Sequence, residues 1–207
     1  MNEYKSFYKQ VGGNEGTKRL YNTRLDTYGC GCAHDCKYCY AKSLLSFRGL
    51  WNPEGPSVAN IEKIKRKIQS IPKGTVMRLG GMTDCFQPCE RRYKVTKRTI
   101  GFLNDAGIEY LIVTKSAMVG EDEYVNVMDK QLAHIQITVT TTDDELSRTY
   151  EKASPPSEWI RAIEKLWALG FDVSLRLSPF IPQFVSLDEL NRVKCDKILI
   201  EFLRVNH

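Results

Sequence analysis

Six short apolar runs punctuate this chain, Leu25–Gly29, Thr75–Gly80, Tyr110–Thr114, Ile135–Thr141, Val173–Leu177 and Lys197–Leu203. Segments of helical period fill most of the gaps between them. Strands separated in this way cannot pair as tight hairpins, so the pattern predicts an α/β fold with a parallel sheet. Right-handed crossovers roll six such units into a partial, open (β/α)6 barrel of TIM-like character. Helices are expected over Tyr40–Phe47, around Ile61, Ile64 and Ile68, over Val95–Asn104 up to Gly107, over Tyr124–Lys130 and over Leu187–Arg192. The strongest helical signal is Pro156–Leu169. Ser157 reads as its cap, Ile160, Ile163, Leu166 and Trp167 as its apolar face, and Gly170 as its stop. Trp51–Pro56 reads as a loop.

The 207 residues are expected to form a single core domain, with residues 1–24 as an N-terminal extension. The sequence stops at His207, directly after the sixth strand, where a covering helix is missing. Two readings follow: a piece truncated at its C-terminus, or a barrel whose open side a C-terminal segment or a partner covers. At 42% hydrophobic and 27% charged residues the composition is that of an ordinary globular chain. No apolar run approaches the roughly 20 residues of a membrane span, and Met1–Lys5 does not begin a signal peptide, so the cytoplasm is the expected location. The net charge of +5 suits an anionic partner, but the basic residues are spread over positions 63–73, 91–98 and 192–197 and read chiefly as solvated surface.

Seven cysteines, odd in number and clustered, fit metal ligation in a reducing compartment better than a disulfide framework. Cys32, Cys36 and Cys39 are spaced C-x3-C-x2-C in a loop that opens with Gly29 and Gly31. Such a loop can wrap three thiolates around a cluster of soft metal atoms. Three thiolates cannot fill the four iron positions of a [4Fe–4S] cluster, so one iron stays open to a ligand. On spacing alone two rivals stand. One is a zinc knot with Cys30 or His34 as fourth ligand. The other is an electron-transfer cluster completed by Cys30, Cys85 or Cys89. Either would make the chain a non-catalytic module for electron transfer or partner binding.

The motif, with Tyr38 before the last cysteine, resembles the signature of the radical S-adenosylmethionine superfamily. The flanks Tyr28-Gly29-Cys30 and Tyr38-Cys39-Tyr40-Ala41 are most similar to its spore photoproduct lyase-like branch. The resemblance implies a radical-SAM barrel, a [4Fe–4S] cluster on Cys32, Cys36 and Cys39, and S-adenosylmethionine on the open iron. It also implies reductive cleavage to a 5′-deoxyadenosyl radical that abstracts hydrogen from a substrate, with an electron donor such as flavodoxin or ferredoxin. Further residues resemble the branch's cofactor contacts. Gly80-Gly81 sits where the superfamily meets the methionine amine, with Met82 in place of the usual acid and Thr83 and Asp84 beside it. Lys115 matches the lysine that pairs with the methionine carboxylate. Thr138 and Thr140 line the cofactor, Glu151 accepts ribose hydroxyls with Arg161 pairing or bracing it, and Arg176 and Ser178 reach carboxylate or ribose. Cys85 and Cys89 are candidate hydrogen donors, although the branch's donor position falls nearer Gly81 or Met82. The substrate is left open between nucleic acid (photoproduct repair or base modification) and peptide.

Overall fold

The computed structural model describes residues 7–8, 21, 23–52 and 55–202. Strands β1 (Phe7–Tyr8), β2 (Thr23–Leu25) and β3 (Tyr28–Gly29) lead to α1 (Tyr40–Phe47), followed by β4 (Ser57–Val58), α2 (Ile61–Ile68) and β5 (Val76–Leu79). Then come α3 (Glu90–Tyr93), α4 (Val95–Ala106), β6 (Glu109–Thr114), α5 (Asp122–Val125) and β7 (Ala133–Val139). The remainder is α6 (Asp144–Arg148), α7 (Pro156–Ala168), β8 (Asp172–Phe180), α8 (Leu187–Leu190) and β9 (Lys197–Phe202). Seven strands form one sheet in the order β1-β2-β5-β6-β7-β8-β9, and β3 pairs with β4. β1 runs antiparallel to β2, and every later neighbour in the large sheet is parallel. The alternation of strand and helix therefore yields the expected α/β architecture. The expected extension lies largely outside the described residues, and Pro53, Glu54 and Leu203 lie wholly outside them.

The two faces of the sheet differ in chemistry. On one face Leu25, Met77, Leu79, Ile112, Ile137 and Leu175 are fully buried. They join one core with Ile64 and Ile68 of α2, Ile100 and Leu103 of α4, and Trp159, Ile163 and Leu166 of α7. Burying such side chains supplies roughly 1.5–3 kcal/mol each, so this face holds the fold together. Alternation sends Arg24, Arg78, Leu111, Gln136, Ser174 and Arg176 to the opposite, inner face. That face is not a packed core. Toward the amino ends of the strands it opens into a cavity of about 250 Å³ lined by Val76, Leu111, His134, Gln136 and Ser174 among others. There His134 Nδ1 lies 2.5 Å from Asp172 and Nε2 lies 3.2 Å from Glu109.

Three local expectations are corrected. The short helix expected at Tyr124–Lys130 lies at Asp122–Val125, because Asp122 and Glu123 belong in a helical first turn, where the backbone dipole favours anions. Ser157 does not cap α7 from within. Its N–H and hydroxyl both donate to Asp144, at 2.9 and 2.7 Å, so α6 supplies the cap from outside. Trp167 is 41% exposed, and the tryptophan on the buried face is Trp159. Trp159 Nε1 donates to the Lys115 carbonyl at 2.5 Å, which gives that indole a partner at the end of β6.

Candidate functional site

The carboxyl ends of β5, β6 and β7 face the cysteine loop, and Glu151 is where they meet. Its buried carboxylate accepts hydrogen bonds from the Tyr38 hydroxyl and from Thr140 Oγ1, the latter at 2.6 Å. Cys36 Sγ lies 3.6 Å from Oε2, and Lys115 Nζ 3.5 Å from the same oxygen. The loop is tied down beside it. Lys37 N–H donates to the Tyr150 carbonyl at 2.9 Å, Lys152 N–H to the His34 carbonyl at 2.6 Å, and Lys42 Nζ to Asp35 at 2.7 Å. Cys30 and Asp35 adopt left-handed backbone, φ 58° and 42°, a conformation that costs non-glycine residues energy and here bends the loop. Arg161, expected to pair with or brace Glu151, is exposed and acts on Asp144 instead.

Lys115 is the unusual cation of this group. Its ammonium lies 5.1 Å from the centre of the Tyr38 ring and 6.0 Å from that of Trp159. The ion-pair distance to Glu151 is too long for a hydrogen bond, and the buried nitrogen has no hydrogen-bond acceptor. Asp84 fixes the backbone beneath it. One oxygen accepts from Thr114 Oγ1 at 2.7 Å and Phe86 N–H at 2.8 Å; the other accepts from Lys115 N–H at 2.6 Å. Burial alone would raise the Asp84 pKa, but His34, whose Nε2 stands 3.4 Å away, and these donors outweigh it and hold the carboxyl below its usual range. Asp84 is thus a positioning residue for Lys115. Thr83 likewise donates its hydroxyl to the Tyr28 carbonyl, fastening the strand that enters the cysteine loop.

Gly80-Gly81 forms the turn at the end of β5. Gly80 has φ 78°, a region that favours glycine, and the Gly81 carbonyl accepts from the Tyr40 hydroxyl at 2.7 Å. A Cβ on Gly81 would stand 2.0 Å from Arg24 Cδ. Gly81→Ala should therefore displace Arg24 and cost about 1–3 kcal/mol, read as an earlier midpoint in urea unfolding. Under the turn lies Asp26, which the sequence reading missed. It is fully buried, accepts Met82 N–H at 3.0 Å and sits 3.5 Å from Arg24 Nε. Met82, which stands where the family has an acid, thus has a buried carboxylate as its neighbour, supplied by the residue that follows β2. The only sequence sign of it was an aspartate directly after a strand.

On the inner face Thr138 is buried opposite its register partner Arg176. Arg176 donates to Gln136 at 3.0 Å and pairs with Glu201 at 2.5 Å, and Ser178 donates to Glu201 at 2.9 Å. Arg176 and Ser178 are thereby engaged with Glu201, which lay outside the sequence expectation.

Burial pushes the Cys36 thiol up to about 12, and pushes Cys32 well above its ordinary value. Buried thiols in this state ionise when a cation binds their sulfurs. Among the described residues no group of three or more His, Cys, Asp or Glu side chains is arranged to hold a single metal ion. Thiolates that each take a different iron of a cluster need not converge on one point.

The sequence profile of the radical SAM superfamily matches residues 27–184. The chain belongs to the radical SAM superfamily. An uncharacterized protein of Mycobacterium tuberculosis is 26% identical over 171 residues, covering 77% of this chain and 50% of the relative. One from Methanocaldococcus jannaschii is 27% identical over 165 residues, covering 76% and 60%. The chain thus spans about half the length of the curated relatives it matches. Among solved structures, spore photoproduct lyase complexed with dinucleoside spore photoproduct matches with a TM-score of 0.64 at 17% identity, over 80% of this chain and 48% of the lyase. Streptococcus suis SuiB bound to its precursor peptide SuiA matches with a TM-score of 0.66 at 14% identity, over 87% and 39%. These likenesses confirm the radical SAM fold, a partial α/β barrel.

Radical SAM cofactors are the [4Fe–4S] cluster and S-adenosylmethionine, and the residues here suit both. Cys32, Cys36 and Cys39 are free in the short loop, and the buried Lys115 ammonium, 3.5 Å from the Glu151 carboxylate, has no hydrogen-bond acceptor and keeps its donors for a further carboxylate. Of the two cysteines expected as radical donors, Cys85 is 1% exposed within the hydrophobic core. Cys89 packs against the same core at the start of α3, and burial pushes its thiol up to about 12. Among the described residues no helix is long and apolar enough to cross a membrane.

Proposed function

We propose that this chain is the catalytic core of a radical enzyme that acts on nucleic acid. The carrying observation is the Lys115 ammonium, buried without a hydrogen-bond acceptor and sharing Glu151 Oε2 with Cys36 at 3.5 and 3.6 Å. Cys32, Cys36 and Cys39 would hold the cluster, which three thiolates leave open to S-adenosylmethionine. When bound, the cluster supplies the electron for reductive cleavage of S-adenosylmethionine, which starts hydrogen abstraction from the substrate. Lys115 pairs with the methionine carboxylate, steadied from below by Asp84 and Trp159. The Gly80-Gly81 turn admits the methionine end, and its carbonyls take the amine in place of the missing acid. Glu151 aims Tyr38 and Lys115 and neutralises part of the cation when no ligand is bound. Thr138 and Thr140 line the approach. An external one-electron donor such as flavodoxin or ferredoxin completes the cycle.

The net charge of +5 supports nucleic acid as substrate, and so does the lyase neighbour, which binds a dinucleoside lesion. Photoproduct repair and base modification are the two reactions in view. Peptide modification is the second reading, favoured by the match to SuiB bound to a peptide. Anaerobic reconstitution with iron, sulfide and reductant tests these readings, with 5′-deoxyadenosine measured by chromatography. Irradiated DNA or transfer RNA should stimulate its formation, whereas stimulation by peptides alone would move the assignment to the second reading. Lys115→Ala should weaken S-adenosylmethionine binding roughly ten- to hundredfold, the range of one lost charge-assisted hydrogen bond. Titration of the cluster's spectroscopic signal with S-adenosylmethionine reads that change.

A further inference from the structure

The inner face of the sheet carries three guanidiniums, two of which, Arg24 and Arg78, have no part in the cofactor contacts set out above. Arg24 on β2 and Arg78 on β5 are register partners on adjacent parallel strands, and Arg176 on β8 faces the same space. Like charges on neighbouring strands are destabilising unless something anionic answers them. Two of the three have a local carboxylate: Arg24 Nε lies 3.5 Å from Asp26, and Arg176 Nη2 lies 2.5 Å from Glu201. Arg78 forms no ion pair with any described residue. Its Nη1 donates to the Tyr21 hydroxyl at 2.7 Å, its guanidinium carbon stands 5.1 Å from the centre of the Tyr21 ring, and its buried Nε has no hydrogen-bond partner. Its charge is felt at both Asp26 and Glu201.

We propose that Arg78, flanked by Arg24 and Arg176, seats a phosphate of the substrate. This deepens the nucleic-acid reading above and rests on it. A carboxylate has two oxygens in one plane and is satisfied by a single guanidinium fork. Donors that arrive from three different strands suit a tetrahedral group with oxygens on every side. Tyr21 holds the Arg78 fork in place, which lowers the entropy lost when the phosphate binds. Arg78 stands two residues before Gly80-Gly81, so the same strand carries both the phosphate seat and the cofactor turn. A nucleotide anchored there has its distance from the reacting centre set by one rigid element.

The test is fluorescence anisotropy of a labelled single-stranded oligothymidylate titrated with the cluster-reconstituted protein. Arg78→Ala should weaken binding about tenfold or more, the loss of a charge-assisted contact. It should also reduce the slope of log K against log salt by ~0.7, one phosphate's share on a single strand. Arg78→Lys should recover part of the affinity, and Tyr21→Phe, which keeps every charge, should weaken it by a smaller factor. Inorganic phosphate should compete for the site. Thymidine monophosphate competing as well as unlabelled oligomer assigns a free nucleotide as the source, and weaker competition assigns a polymer; both support the seat. Wild-type affinity in Arg78→Ala overturns the proposal, and so does displacement by oligoglutamate at the concentrations of inorganic phosphate that displace. If the alanine variant fails to fold by circular dichroism, the lysine and Tyr21 variants decide, and unchanged affinity in both overturns it. Binding is measured without turnover. An absence of 5′-deoxyadenosine in the wild-type protein would therefore sink the radical reading without deciding the phosphate seat.

Discussion

Cys36→Ala protein, reconstituted anaerobically with iron and sulfide, will form no 5′-deoxyadenosine from S-adenosylmethionine. Cys36 is the cysteine enclosed most completely by the candidate site, 8% exposed, with Glu151 3.6 Å from its sulfur. Its replacement takes away one of three thiolates and leaves Glu151 and Lys115 facing an empty corner. Cys30→Ala is the matched control. Cys30 shapes the loop through its left-handed backbone but is not one of the three ligands, so that variant should keep the cluster's absorbance. Turnover by the Cys36 variant would remove the proposed mechanism outright. Loss of the cluster in the Cys30 variant would restore the four-thiolate rival.

A second large loss is expected at a position with no part in the chemistry. Glu90 is completely buried, and its carboxylate accepts the Thr96 N–H at 2.9 Å, the Lys97 N–H at 3.0 Å and the Tyr124 hydroxyl at 3.3 Å. It also accepts the Tyr28 hydroxyl. It therefore caps α4 and, through Tyr28, holds the strand leading to the cysteine loop. Glu90→Ala strands two buried hydroxyls and two N–H groups, each costing about 1–3 kcal/mol when some water reaches none of them. Local relaxation reduces that sum, and an overall loss of about 3–5 kcal/mol is expected. Urea unfolding of the reconstituted protein reads it as a fall in midpoint at unchanged slope. A loss below about 1 kcal/mol would show that the network contributes little net stability.

The order of strands and helices was legible because period and turn chemistry are local properties. Tyr40–Phe47 and Ile61–Ile68 fall where the sequence puts helices. The three cysteines proposed as cluster ligands stand out in the sequence because their spacing is short and needs no tertiary information. What sequence could not provide was partner choice across the fold. Thr83 and Asp84 read as cofactor contacts from their place after two glycines, yet their side chains point to Tyr28, Thr114, Phe86 and the Lys115 backbone. Cys85 and Cys89 read as radical donors because they follow the same strand; the fold buries Cys85 in the core and packs Cys89 against it. Asp26, Arg78 and Glu201 carried no motif. Their meaning arises only when strands distant in sequence share one face.

The division between the two faces of the sheet has an evolutionary consequence. Foldability is written in residues such as Met77, Ile112 and Leu175, while their immediate sequence neighbours Arg78, Leu111 and Arg176 point the other way. Because a side chain's direction reverses at each step along a strand, lineages can rewrite the second set while leaving the first untouched. A barrel built like this can change what it grips without relearning how to fold.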